Sequence, residues 1–170
     1  SLASVTSLTE TGQTREIGLL SVAGNGLAAN GPSHTPAISS DGNFVAFATT
    51  ASNLVDGGPD PGTRQILIRD RAKGVLNRIS IRPSGNDFSS DCSEPDISAD
   101  GRFVVFRTGT TQGTIFVRDR GAVGDPAQTI QHTTGSAAKI SADGRFITFE
   151  ILVDGVKQVL VRRVTTGQQE

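Results

Sequence analysis

Two histidines, His34 and His132, are the side chains best suited by their ordinary pKa to exchange a proton near neutral pH. Each precedes an expected strand by a few residues, and the spacing places them in loops at one rim of the fold. A hydrolase would give one of them a nucleophile to activate. Yet Gly-x-Ser-x-Gly, His-Glu-x-x-His, a phosphate-cradling Gly-x-x-x-x-Gly-Lys and paired Cys-x-x-Cys are all missing. The acidic loop Asp56-Gly-Gly-Pro-Asp-Pro-Gly62 offers Asp56 and Asp60, with Asn53 just before it, as hard oxygens for Ca²⁺. It lacks the alternating acidic order and terminal Glu of an EF-hand, and its Pro and Gly content also explains a long turn. A second acidic connection, Gly85-Asn-Asp-Phe-Ser-Ser-Asp91, carries Phe88, which is either an exposed anchor for a partner or a plug over the fold. His34, Phe88, Asp91 and His132 are therefore the candidates for partner binding, and no residue is assigned to catalysis or to a bound cofactor.

The lone thiol, Cys92, excludes an intrachain disulfide and a multi-cysteine zinc site, and it reads as an inert, half-buried small residue. Thirteen of the sixteen basic residues are Arg, which directs attention to local pairing rather than to a long-range field. Arg69-Asp70-Arg71 recurs as Arg118-Asp119-Arg120, and a recurring ion pair at equivalent places points to bracing between repeats. Net charge is −1, so no global field favours nucleic acid, and exposed aromatics do not interleave with the arginines. With no Trp and no Tyr, a lectin-type sugar platform is also disfavoured. No stretch approaches the roughly 18 apolar residues of a membrane-spanning helix.

The elements that position these side chains come from an internal repeat. Pro36-Ala-Ile-Ser-Ser-Asp-Gly-Asn-Phe-Val-Ala-Phe47 returns as Pro95-Asp-Ile-Ser-Ala-Asp-Gly-Arg-Phe-Val-Val-Phe106 and as Ala138-Lys-Ile-Ser-Ala-Asp-Gly-Arg-Phe-Ile-Thr-Phe149. A second block follows each copy: Ile66-Leu-Ile-Arg69, Ile115-Phe-Val-Arg118 and Val159-Leu-Val-Arg162. Short β-branched and aromatic runs bounded by Gly, Asp, Asn and Pro, with no helical period, predict an all-β chain. Gly42, Gly101 and Gly144 supply the positive φ that closes a turn, and the aspartate before each bonds nearby amides. In Phe-x-x-Phe the two rings must point to opposite faces of a strand, so both faces of every sheet need cover.

Small sheets of about four strands, covered on both faces and repeated every 40–60 residues or so, describe β-propeller blades. The expected strands of the first complete blade are 36–40, 43–49, 65–71 and 76–82, followed by 95–98, 102–108, 113–119 and 127–131 in the second. A last, partial blade has strands at 137–141, 145–151 and 157–163, and a leading partial blade has strands at 2–8 and 15–22. Residues 1–170 thus read as one incomplete propeller segment: partial blade 1–22, blades 36–82 and 95–131, partial blade 137–163. With no Met anywhere, the chain is expected to be a processed or excised piece of something longer. An unclosed ring exposes edges and an apolar face. Further chain, another copy or a capping partner would cover them.

The Pro-x-Ile-Ser-x-Asp-Gly-Arg-Phe-Val-x-Phe and Ile-x-Val-Arg-Asp-Arg blocks resemble the TolB-like, WD40-like (PD40) propeller repeats of bacterial envelope and secreted proteins. Ala51-Ser-Asn-Leu-Val55 resembles a variant found in secreted members. Departures are Asn43 for the usual Arg, Arg163 for the repeated Asp and Ala138 for Pro. The resemblance implies a periplasmic or extracellular setting and binding to other proteins. It also covers propellers fused to peptidase domains. The expected function is a non-catalytic scaffold for protein–protein contact or assembly. The alternatives are an accessory propeller of a larger hydrolase and a propeller that binds calcium or carbohydrate.

Overall fold

The computed structural model describes residues 6–10, 13–56, 62–109, 112–122 and 126–164, and these contain strands and turns but no helix. A hairpin of β1 (Thr6–Glu10) and β2 (Gln13–Ile17) leads the chain. Then follows a four-stranded antiparallel sheet in sequence order, unit I: β3 (Ser33–Ile38), β4 (Phe44–Thr49), β5 (Gln65–Asp70) and β6 (Val75–Arg78). Unit II repeats it with β7 (Cys92–Ile97), β8 (Phe103–Thr108), β9 (Gly113–Asp119) and the first part of β10 (Gln128–Ile140). Unit III uses the rest of β10 with β11 (Phe146–Val153) and β12 (Val156–Arg163).

The thirteen-residue β10 departs from the sequence reading, which has separate strands at 127–131 and 137–141. Gln128 to Gly135 pair with β9, and Ser136 to Ile140 pair with β11, so one strand closes unit II and opens unit III. Units II and III are joined into a six-stranded sheet by that shared strand. A dense run of Thr, with Gly and Ala, has neither the Pro nor the Asn-Gly signal that would break extension. The β11–β12 hairpin is closed by Asp154-Gly155, both at positive φ (50° and 78°), the pattern of a two-residue type I′ turn.

Each Ser-x-Asp-Gly turn is built the same way. Ser39 Oγ donates to Asp41 Oδ1 (2.6 Å), which also accepts from the Asn43 amide (2.9 Å), while the Phe44 amide donates to Ser39 Oγ (3.0 Å). The bonds recur at Ser98, Asp100 and Phe103 and at Ser141, Asp143 and Phe146. The hydroxyl bond from Ser39 or Ser141 and the amide bonds at the turn hold the Asp41 and Asp143 carboxyls below their ordinary pKa. Consecutive turns are also stitched together, the Ser40 amide donating to Ala99 O and the Ala99 amide to Ala142 O.

Apolar side chains fill the spaces between units, as strand alternation requires. Between I and II lie Ala46, Ile66, Ile68 and Phe44 against Val104, Phe106 and Phe116, with Phe88 and Cys92. Between II and III, Val105, Ile115, Val117 and Phe103 meet Ile147, Phe149 and Val164. Phe47 and Leu67 occupy a third cluster on the leading face of unit I. The two rings of each Phe-x-x-Phe thus serve different interfaces: Phe44 faces forward and Phe47 back, Phe103 forward and Phe106 back.

The turn glycines do more than turn. A Cβ on Gly101 would fall 2.2 Å from Phe44 Cδ2, and one on Gly144 would fall 2.3 Å from Phe103 Cδ2, so each forward ring rests on the bare backbone of the next turn. Gly101→Ala is expected to cost about 2–4 kcal/mol, combining a left-handed φ of +74° with overpacking against the ring. Gly26→Ala, at φ +82° with open space around it, should cost about 1–2 kcal/mol from the backbone alone. Chemical denaturation of both variants reads the difference; equal losses would remove the ring seat from the account.

Candidate functional site

The sequence candidates do not converge on one constellation. His34 lies within β3, exposed and paired opposite Ala48, so it is on a strand and not in a loop. His132 is inside β10 and buried, again not in a loop. The two are not repeat equivalents: by the strand register His34 corresponds to Ser93 and Ser136. Phe88 is buried, edge-on to Phe116 and Phe106 at centroid distances of 4.8 and 5.7 Å, so it plugs the interface between units I and II rather than standing out as an anchor. Asp91 is exposed but accepts from the Arg64 amide at 2.8 Å, tying the connection to β5's approach.

The oxygen donors proposed for Ca²⁺ divide. Asn53 Oδ1 accepts from the Asn30 amide (2.9 Å) and its Nδ2 donates to Ala28 O (2.8 Å), so this side chain clips the loop before β3 to the loop after β4. Asp56 is exposed beside it, and Asp60 lies outside the described residues. Among the described residues no three His, Cys, Asp or Glu side chains group as metal ligands. Cys92 is fully buried, and burial pushes its thiol up to about 12, which keeps it protonated and unreactive.

The arginines brace the units, by a different device from the one the sequence implies. The close ion pair stays within unit II, Arg102 Nε and Nη2 each lying 2.8 Å from an oxygen of Asp119. The arginine hydrogen bonds that cross between units go to neutral oxygens, Arg69 Nη2 donating to Val22 O (2.7 Å) and Arg162 Nη1 to His132 O (2.7 Å), while charge also acts across, Asp70 of unit I on Arg120 of unit II and Lys139 on Asp96 (3.7 Å). Arg118 donates to Thr129 Oγ1 (2.9 Å), which donates on to Ile81 O (2.5 Å). Arg120 lies 4.3 Å over the Phe44 ring while donating to Gly101 O (2.7 Å), capping the ring seat. The sequence marked these arginines but not their acceptors, since backbone carbonyls carry no residue-type signal.

Two open surfaces stand out among the described residues. The first is a cavity of about 410 Å³ where the first strands of the three units converge, with Pro36, Glu94, Pro95, Lys139, Glu150 and Lys157 in its lining. Thr35, Glu94 and Ala137 take positive φ there (46°, 55° and 50°), at the register shift in β3, β7 and β10. Glu94 bonds Arg107 Nη2 (2.8 Å) and the Ala137 amide (3.2 Å), and the Arg107 bond in particular holds its carboxyl below the usual range.

The second is the outward face of unit III. Val159 and Val161 are 76% and 68% exposed, whereas their repeat equivalents Ile66, Ile68, Ile115 and Val117 are 0%. Phe146, the third forward ring, is 41% exposed, and the Ala142 amide, next in the ladder of turn-to-turn bonds, has no partner among the described residues. β12 is also an edge strand. No repeat signal in a sequence distinguishes a covered copy from an uncovered one.

No family model matches the sequence, and no curated protein matches it. Solved structures do. A crystal structure of TolB from Acinetobacter baumannii is similar with a TM-score of 0.51 and 20% identity, over 84% of this chain and 32% of that one. A putative TolB from Agrobacterium tumefaciens gives 0.51 and 20%, over 78% of this chain and 46% of that one. The likeness shows a TolB-like, propeller-like fold, and the chain spans about a third of the first of these proteins and less than half of the second.

His132 provides a test of the interface between units II and III. Burial, with Arg162 close by, lowers its pKa from 6.5 to about 4, and its Nε2 is buried without a hydrogen-bond partner among the described residues. Between those values the unfolded chain binds the proton and the folded one does not, so stability falls as pH drops from 6.5 towards 4. The slope from this group reaches at most about 1.4 kcal/mol per pH unit. Below pH 4 its contribution levels off. Denaturant melts across pH 4–7 should show that decline in the native chain and lose this component in His132→Gln.

Proposed function

We propose that this chain is a segment of a non-catalytic β-propeller that serves as a scaffold for protein contact, in a periplasmic or extracellular setting. The observation that carries the reading is the outward face of unit III. Positions buried completely in two copies of the repeat are the most exposed apolar side chains of the third. A face carrying Phe146, Val159 and Val161, beside an edge strand, is a liability in water unless something covers it. The chemistry of the cover is set by the interfaces already made within the chain. A forward ring needs a bare Ser-x-Asp-Gly turn to sit on, and the Ala142 amide, without a partner among the described residues, needs the carbonyl of that turn. A further unit of the same repeat supplies both, whether from the same polypeptide or another molecule.

The leading face complements it. At Gly42, the first turn glycine, the described residues that a Cβ would meet within 4 Å are Arg71 (Nη1) and Ile38 (Cδ1), where Gly101 and Gly144 hold a ring. Arg71 nevertheless donates to Gly42 O (2.8 Å) as Arg120 does to Gly101 O, so the seat is formed. A ring seat at one end and an unseated ring at the other make a surface for head-to-tail assembly of repeats.

The competing reading, an accessory propeller of a hydrolase, requires a catalytic domain elsewhere on the polypeptide. Intact mass of the denatured native protein, paired with native mass and hydrogen exchange, separates these outcomes. A polypeptide well above 17.7 kDa, or a multiple of it in solution, with β12 amides protected, is the expected result. A nucleophile motif in added chain would favour the hydrolase reading. A 17.7 kDa monomer whose β12 amides exchange freely would overturn the scaffold of stacked repeats.

A further inference from the structure

Arg118 and Arg120 present a different feature, independent of the open faces. They stand two residues apart, at β9 and just beyond it, and both are half-buried. Among the described residues no carboxylate forms an ion pair with either one. The acids that attract them are also engaged by other groups: Asp119, which acts on Arg118, is held by Arg102 through two bonds of 2.8 Å, while Asp70 and Asp100, which act on Arg120, accept from the Lys73 amide at 3.0 Å and the Arg102 amide at 2.9 Å. Burial lowers the pKa of both guanidinium groups, the mark of cations only partly compensated for lost water.

Both arginines line one cavity of about 450 Å³ between β6 of unit I and β9 of unit II. Arg78 and Asn77 bring further donors from β6, Ile79 and Ile81 form an apolar wall, and among the described residues no acidic side chain contributes to the lining; Asp125, close in sequence to the lining residue Ala127, lies outside them. Arg78 is paired with Asp87, so it stands at the margin already engaged. The equivalent place in unit I is filled differently, because Arg69 spends Nη1 on Gly74 O and Nη2 on Val22 O. In unit III the second arginine is replaced by Val164, buried in the apolar cluster beside Phe103. Among the described residues, the interface of units I and II thus sets two such arginines on one cavity.

We propose that this cavity is an oxyanion site, taking a phosphate or carboxylate group between Arg118 and Arg120. Guanidinium donors lie in a plane and bond such groups through paired N–H contacts, and a half-dry site strengthens each bond. One donor of Arg118 is fixed by Thr129 and one of Arg120 by Gly101 O, which orients the heads and leaves the other donors for the ligand. The apolar wall admits a small organic anion as well as an inorganic one.

The test is thermal melting of the whole chain in inorganic phosphate or citrate, with ionic strength matched by NaCl. Either anion should raise Tm by a few degrees at about tenfold excess over its Kd, while NaCl does not. A response to phosphate alone assigns the phosphate class, and a response to citrate alone assigns carboxylates. Arg118→Gln should abolish the anion-dependent shift, which is read separately from any drop in basal Tm caused by losing the Thr129 brace. Asn77→Asp places a carboxylate in the lining at an exposed position of β6. It should raise basal Tm and remove the response to added anion. No shift beyond the NaCl control, or a basal Tm unchanged or lowered in Asn77→Asp, would overturn the site.

Discussion

Everything in this molecule depends on a ring resting on a glycine of the next unit. Phe44 on Gly101 and Phe103 on Gly144 set the distance between successive sheets, because a Cβ at either glycine would overlap the ring. Once that distance is fixed, the rest is placed within reach: the turn amides bond the next turn, Arg120 covers Phe44, and inward-facing Ile and Val fill the slab between. The contact uses the smallest residue for two reasons at once. Positive φ closes the turn, and the missing side chain receives the neighbour.

That double use explains which part of the fold was legible. The Asp-Gly pairs, read as turns, are turns, and the alternation that sends Phe44 and Phe47 to opposite faces holds in the core clusters. Local pattern determines both, since turn chemistry and strand period are properties of a few adjacent residues. The seat itself depends on a residue 57 positions away from Gly101 and leaves no trace in the turn. The long β10 is illegible for a related reason. Its midpoint changes partner without leaving extended geometry, and a change of partner has no composition.

The candidate residues were legible as types and not as places. His132 and His34 read alike in the sequence because both precede a repeat block, but burial inside β10 gives His132 a wholly different environment. Asn53 has the chemistry of a calcium ligand and spends its amide on backbone atoms of the loop before β3. The Arg-Asp-Arg pattern was legible as bracing, whereas the partner was not. Asp119 turns inward to Arg102 of its own sheet, and the cross-unit bonds fall on oxygens that any residue possesses.

A repeat makes function a matter of where copies differ. Val117 and Val161 are the same residue in the same register with opposite exposure, so the environment and not the residue type makes one a core position and the other a surface. Arg118 and Arg69 likewise share a register position. Two carbonyls engage Arg69, whereas a threonine hydroxyl engages Arg118 beside an open cavity. The near-identity of the copies supplies an internal control for each comparison, since intrinsic propensity and strand geometry cancel and only the neighbour changes. By that control the outward face of unit III and the arginine cavity between units I and II are two places where the pattern is left incomplete among the described residues. Incompleteness in an otherwise self-satisfying repeat is a demand on something outside it, apolar in one case and anionic in the other.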